Sequence, residues 1–116
     1  MNEGGSYEEY CENMLIRNRT VGAVPSWAIF DRQYLNDYIL ANGGKGKIPV
    51  SWRESGWLKE APTVEELAAK IDVEPGALRG TVDRWNGFVD AGHDDDFNRG
   101  DRAYDNFLGD PFFTAG

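Results

Sequence analysis

The sequence predicts an α+β fold: one helix-rich domain over residues 1–116, with a small antiparallel or mixed sheet. Three observations predict it. Two capping boxes, Ser6-Tyr7-Glu8-Glu9 and Thr63-Val64-Glu65-Glu66, each set a hydroxyl at a helix start with Glu three residues on. Apolar residues after both recur at spacings of three and four, the period of a helix face. Residues 24–30 form a short, mostly apolar run between a Gly-containing linker and Asp31, which reads as a largely buried strand.

In chain order, Tyr7, Tyr10, Cys11, Met14 and Leu15 predict a first helix from Tyr7 to about Arg17. Residues 18–22 read as a linker and residues 24–30 as the strand. Asp31 is placed to cap a second helix carrying Tyr34, Leu35, Tyr38 and Ile39. Residues 42–47 read as a turn, residues 48–52 as irregular chain or a short strand, and residues 56–59 as a further short strand. Thr63 then caps a helix whose apolar face is Val64, Leu67, Ala68 and Ile71. Asp72-Val73-Glu74 breaks that helix, and Pro75 suits the first turn of the next. Leu78, Val82, Trp85 and Val89, with Phe88 beside them, give this longer helix its apolar face. The periodicity stops there, so Gly92 is the expected C′ residue with a positive φ. Gly76, Gly80 and Gly87 each cost about 1 kcal/mol relative to Ala inside a helix. They predict either close packing against a neighbour or a weak helix.

Composition bounds the function. A length of 116 residues allows one domain with a modest core. Four Trp, five Tyr and six Phe supply bulk for that core or an aromatic face for a partner domain. A net charge of −8 argues against nucleic acid and anionic membranes as partners. No apolar run approaches the roughly 20 residues of a membrane span. Asn2-Glu3-Gly4-Gly5 does not resemble a signal peptide. The single cysteine permits no internal disulfide and no cysteine metal cluster, and a cytoplasmic location is expected.

Local motifs for common chemistries are incomplete. Gly43-Gly44-Lys45-Gly46-Lys47 fails as a P-loop, because Ala41 stands where the first Gly belongs and Ile48 where Ser or Thr belongs. No G-x-G-x-x-G is present to hold a dinucleotide pyrophosphate. Asp94, Asp96 and Asn98 match positions 1, 3 and 5 of a calcium loop. Arg99 replaces the Gly of position 6 and Asp105 the Glu of position 12, so a solvated acidic loop is favoured and no metal site is expected. His93 has no second histidine to share a metal, and Cys11 reads as a small buried hydrophobe. Arg32, Arg53 and Arg99 have no partner identifiable from sequence.

The order of motifs resembles one family. Thr63, Glu65-Glu66-Leu67-Ala68, Lys70, Ala77-Leu78, Thr81-Val82, Arg84 and Asn86 follow the helix pair of the flavoprotein 3-ketosteroid Δ1-dehydrogenases, within the wider fumarate-reductase-like group. Asp95-Asp96-Phe97, Arg99-Gly100 and Ala103-Tyr104-Asp105 resemble its following loop. The run from Val24 to Asp31 resembles its strand, and Asn2-Glu3 opens its Asn-Glu-x-x-x-Tyr segment. The resemblance implies the catalytic domain that caps the flavin of a larger enzyme. FAD would then sit in the full-length protein, on a separate FAD-binding domain, and not on this piece. The substrate would be a 3-ketosteroid, and the fragment alone would be inactive.

The same resemblance implies that Tyr7 is catalytic, helping to remove a proton from the steroid A ring. A ketone acidifies the adjacent carbon, so a base can take a proton from C2 while C1 yields hydride to flavin. A free phenol has a pKa near 10. At the first helical position the partial positive charge of the terminus favours the phenolate, whereas Glu8 and Glu9 oppose it. The plain alternative is that Tyr7 packs on the helix face. In related reductases an acid at the place of Glu3 relays protons; here a structural role is as well supported. Two alternatives stay open for the chain. One is the same domain from a Δ4-dehydrogenase or a fumarate-type reductase. The other is a non-catalytic acidic helical interaction module.

Overall fold

A computed structural model describes residues 7–41 and 43–99. Among them are five helices: α1 Tyr7–Arg17, α2 Arg32–Asp37, α3 Val50–Glu54, α4 Val64–Lys70 and α5 Pro75–Ala91. No sheet forms among the described residues, which corrects the α+β expectation to an all-helical one. The one β feature there is an isolated antiparallel bridge, Gly44 to Lys47, closing a tight turn.

The strand expected at 24–30 and the two shorter strand candidates do not form, for identifiable reasons. In residues 24–30 the chain has no ladder partner among the described residues. The amides of Ala23 and Val24 donate instead to Asn18 Oδ1, at 2.9 and 3.2 Å, and Ser26 Oγ donates to the carbonyl of Ala23. Val24, Trp27 and Ile29 are 52%, 40% and 41% exposed, so the run is not the buried strand its apolarity suggests. A β-prone composition says that a segment suits a half-buried pleated surface, not that a neighbour is there to pair with it. Residues 48–52 become the start of α3, with Pro49 at its cap. Residues 56–59 return over α3: Gly56 has φ 73°, the Leu58 amide donates to the Trp52 carbonyl at 2.9 Å, and Leu58 is buried.

The helix ends follow local chemistry. Asp31 accepts from the Tyr34 amide at 2.8 Å and caps α2. Thr63 Oγ1 accepts from the Glu66 amide at 3.2 Å and caps α4. Glu66 meets the Thr63 hydroxyl at 3.3 Å rather than the cap amide, so the box is closed side chain to side chain. Between α4 and α5, Asp72 takes φ 57° and the Val73 amide reaches back to the Ala68 carbonyl at 3.0 Å. Asp thus fills the left-handed position usually given to Gly. Glu74 then accepts from the amides of Gly76 and Ala77 at 2.9 and 2.6 Å, so it starts α5 as well as ending the break.

The chain divides into two compact units. One is Ile29–Asn86, with α2, α3, α4 and most of α5. Its core is the α4–α5 corner, where Ala68, Ile71 and Leu78 are buried and Val64 and Val73 pack against them. The other unit combines Met1–Ala28 with Gly87–Gly116. Its described part holds α1, the loop tied to Asn18, the last residues of α5 and residues 92–99. Ala23, Phe88, Asp94 and Arg99 are buried there.

Candidate functional site

Tyr7, for which the resemblance implies a catalytic role, is the first residue of α1. Glu8 and Glu9 stand in the first turn and Arg17 in the last, an order of charges that complements the helix dipole. The phenol of Tyr7, together with Asn2, Glu3 and Ser6, lies outside what is described, as do Gly100, Ala103, Tyr104, Asp105 and Asp110. Cys11, on the same helix, is a half-buried free thiol.

The best-defined polar arrangement is one that sequence reasoning misread. Asp94, read from sequence as part of a solvated acidic loop, has no exposed surface. Its Oδ1 accepts from the amides of Asp96 and Phe97 at 2.9 and 3.3 Å. Its Oδ2 accepts from Arg99 Nε at 2.6 Å and from the Arg99 amide at 3.4 Å. Arg99, whose partner could not be identified from sequence, is itself buried, and its guanidinium lies 5.3 Å from the Phe97 ring centre. Both oxygens of Asp94 therefore serve to fold the loop, not to ligate an ion. Among the described residues no three His, Cys, Asp or Glu side chains come together as a metal-binding set. His93 Nε2 lies 3.5 Å from Asp95 Oδ1 at the surface.

The loop starts from a well-formed helix end. Gly92 has φ 68°; its amide donates to the Val89 carbonyl at 3.2 Å, and the His93 amide donates to that of Phe88 at 3.1 Å. These two bonds are those of a Schellman motif. They lead the chain from α5 into residues 93–99, which include the first residues of the loop, 95–105, that resembles the family's.

Arg32 and Arg53 also find a carboxylate, and it is the same one. Glu60 receives Arg53 Nε at 2.6 Å, and its other oxygen receives Arg53 Nη2 at 3.2 Å and Arg32 Nη2 at 3.0 Å. Lys70 Nζ donates to the Glu60 carbonyl at 2.6 Å. The Arg53 hydrogen bond, ahead of a smaller opposing effect of burial, holds the Glu60 carboxyl below the usual carboxylate value, and Arg32 adds to it. On α4, Glu65 is lowered first by its hydrogen bond from Arg79, at 2.8 Å. Neither arrangement leaves a free acid or base poised for proton transfer.

Aromatic rings line the same unit. Phe30, Tyr34 and Tyr38 are spaced 5.6 and 5.2 Å between ring centres, and Trp52 meets Trp57 edge-on at 4.7 Å. Trp57 remains 56% exposed.

The glycine cluster does not form a pyrophosphate cradle. The glycine cluster is a turn in which the Lys47 amide donates to the Gly44 carbonyl and the Gly46 amide to that of Leu35, both at 2.8 Å. A pyrophosphate cradle needs free amides between a strand and a long helix. Here two of those amides are spent on backbone carbonyls, and the next helix, α3, has five residues. No helix among the described residues is long and apolar enough to cross a membrane.

Comparison with known proteins bears on the whole chain. It is 41% identical over 117 aligned positions to 3-oxosteroid 1-dehydrogenase of Mycolicibacterium smegmatis, covering 96% of this chain and 21% of that protein. It is 38% identical to the Mycobacterium tuberculosis protein of the same name, with the same coverage. It is 40% identical over 86 positions to 4-oxocyclohexanecarboxylate 2-dehydrogenase of Sinomonas cyclohexanicum, covering 74% of this chain and 14% of that protein. The chain thus spans about a fifth of the length of the 3-oxosteroid 1-dehydrogenases it matches. No family model matches it, and no solved structure does.

Proposed function

We propose that this chain is part of the substrate-capping catalytic domain of an FAD-dependent 3-ketosteroid Δ1-dehydrogenase and is inactive by itself. The observation that carries the reading is the 41% identity over 96% of the chain to a 3-oxosteroid 1-dehydrogenase. The order of motifs, from the capped α4–α5 pair to the loop at 95–105, belongs to the same similarity. On this reading FAD supplies the hydride acceptor in the complete protein and is held by sequence outside this chain. Tyr7 is the residue of this chain assigned to proton removal from C2.

The relatives' names support the type of reaction. In 3-oxosteroid 1-dehydrogenase and in 4-oxocyclohexanecarboxylate 2-dehydrogenase alike, the named position lies two ring atoms from the oxo carbon. Desaturation there removes one hydrogen from the carbon next to the ketone, which is the acidic one. A cyclic ketone is therefore the common chemistry, and a steroid the better-supported member, because the steroid relatives match more of the chain. A small oxocyclohexane carboxylate is the second reading, resting on the Sinomonas relative. It requires a cation for the carboxylate; Arg32, Arg53, Arg79 and Arg99 are engaged by carboxylates of this chain, whereas Arg17 and Arg19 form no ion pair among the described residues.

The test is anaerobic flavin reduction in the full-length protein. A 3-ketosteroid is expected to bleach the flavin, and 4-oxocyclohexanecarboxylate to do so far more slowly. Reduction by the small ketone alone would transfer the assignment to the second reading. No reduction by either would remove the dehydrogenase assignment.

A further inference from the structure

One stretch of the chain combines exposed apolar side chains with an absence of acid along its sequence. In a sequence with 20 Asp and Glu among 116 residues, residues 13–28 contain none and carry two Arg. They also hold a dense group of exposed apolar side chains: Leu15 60%, Ile16 50%, Val21 51%, Val24 52% and Trp27 40% exposed. These residues are held rather than loose. Asn18 Oδ1 takes the Ala23 and Val24 amides, the Val21 amide donates to the Arg17 carbonyl at 3.0 Å, and Ala23 is buried beneath. The loop is thereby tied back on the end of α1. Exposed apolar groups this close together along an ordered segment suit an interaction surface.

We infer that the face formed by Leu15, Ile16, Val21, Val24 and Trp27 is the seat of the remaining chain of a flavoprotein of the relatives' length, through an apolar surface edged with acid. The inference rests on the reading of this chain as part of such a protein. Three observations choose that occupant. The relatives carry about four-fifths of their length outside the matched segment. Arg17 and Arg19 interrupt the face and form no ion pair among the described residues, so the complementary surface is apolar with carboxylates beside it. A second copy fits worse: a two-fold dimer through residues 13–28 would gather four Arg and no acid from the two segments in one interface.

The experiment is hydroxyl-radical labelling of Trp27 in the full-length protein, read by mass spectrometry against the same protein unfolded in denaturant. Seated, Trp27 is expected to react at under about a tenth of its unfolded rate, since the centre of an interface packs as densely as a protein interior. A rate near two-fifths, the share of Trp27 exposed in this chain, would overturn the inference. Protection lost on dilution to monomer would overturn it in favour of a second copy. In the double variant R17E/R19E the Trp27 rate is expected to rise several-fold by repulsion from the acidic edge; no rise would overturn the acidic counter-surface. Labelling needs no substrate, so the two readings fail separately. A protected Trp27 in a protein that no ketosteroid reduces would sink the dehydrogenase reading alone. An open Trp27 in an active enzyme would sink only the docking face.

Discussion

Gly92 ends α5 at φ 68°, and a side chain there would meet no atom within 4 Å. The cost of Gly92→Val is therefore one of backbone conformation alone, about 1 kcal/mol or more, seen as a lower midpoint in thermal or urea unfolding. Gly80 is the opposite case. It lies inside α5 with equally open space and no positive φ, which makes a weak helix, and not close packing, the outcome of the α5 glycines at positions 80 and 87. Gly80→Ala is expected to raise stability by roughly 0.5–1 kcal/mol, measured in the same unfolding experiment. Tyr7 needs the full-length protein. Tyr7→Phe keeps the ring and removes the ionisable oxygen, so flavin reduction by a 3-ketosteroid is expected to slow by about 100-fold, the scale of a general base. KM should stay nearly constant, the mark of a contribution made in the transition state. Equal reduction rates with chemistry rate-limiting would leave Tyr7 as a packing residue.

At the scale of elements, the joints between helices carry charge networks and the α4–α5 corner carries the apolar core. Leu78 is 8% exposed against Ala68 and Ile71. Leu78→Ala is expected to lower stability by about 2–4 kcal/mol, with a cavity left at the corner; a loss well under 1 kcal/mol would mean that the corner collapses around the gap. The Glu60 joint predicts a pH effect. Its folded carboxyl lies below the ordinary value, so its contribution is complete above that value and is lost as pH falls through the folded one. Stability should therefore be flat near neutrality and decline on the acid side, beginning near the ordinary carboxylate range. Glu60→Gln should flatten part of that decline while costing about 1 kcal/mol or less at neutral pH, because its side chain is 36% exposed and its partners more so. Melting temperatures of both proteins across the acid range check it.

For the whole molecule, the fit of the glycine cluster to a backbone turn predicts that the isolated chain holds no flavin. Purified without its parent sequence it should be colourless, and FAD added to it should keep the spectrum of free flavin. A stoichiometric yellow protein would contradict the assignment of the cofactor to sequence outside these residues.

Helix starts and ends were legible from sequence because they are set by bonds three to five residues long. Thr63 to Glu66, Asp31 to Tyr34 and Gly92 with its two reaching amides all lie within one helical turn or little more. The likeness to ketosteroid dehydrogenases was legible too, since it is carried by the order of these local motifs. The sheet was not: whether residues 24–30 pair depends on a neighbour, and here Asn18 takes the amides instead. Nor were the arginine partners legible. Arg32 reaches Glu60 from 28 positions away and Arg53 from seven, and only the fold brings them to one carboxylate. Asp94 and Arg99 are close in sequence, but the same spacing on an open loop would be an ordinary solvated pair. Burial made them a buried ion pair, and burial is decided by what packs over a loop, which no local pattern of residues contains.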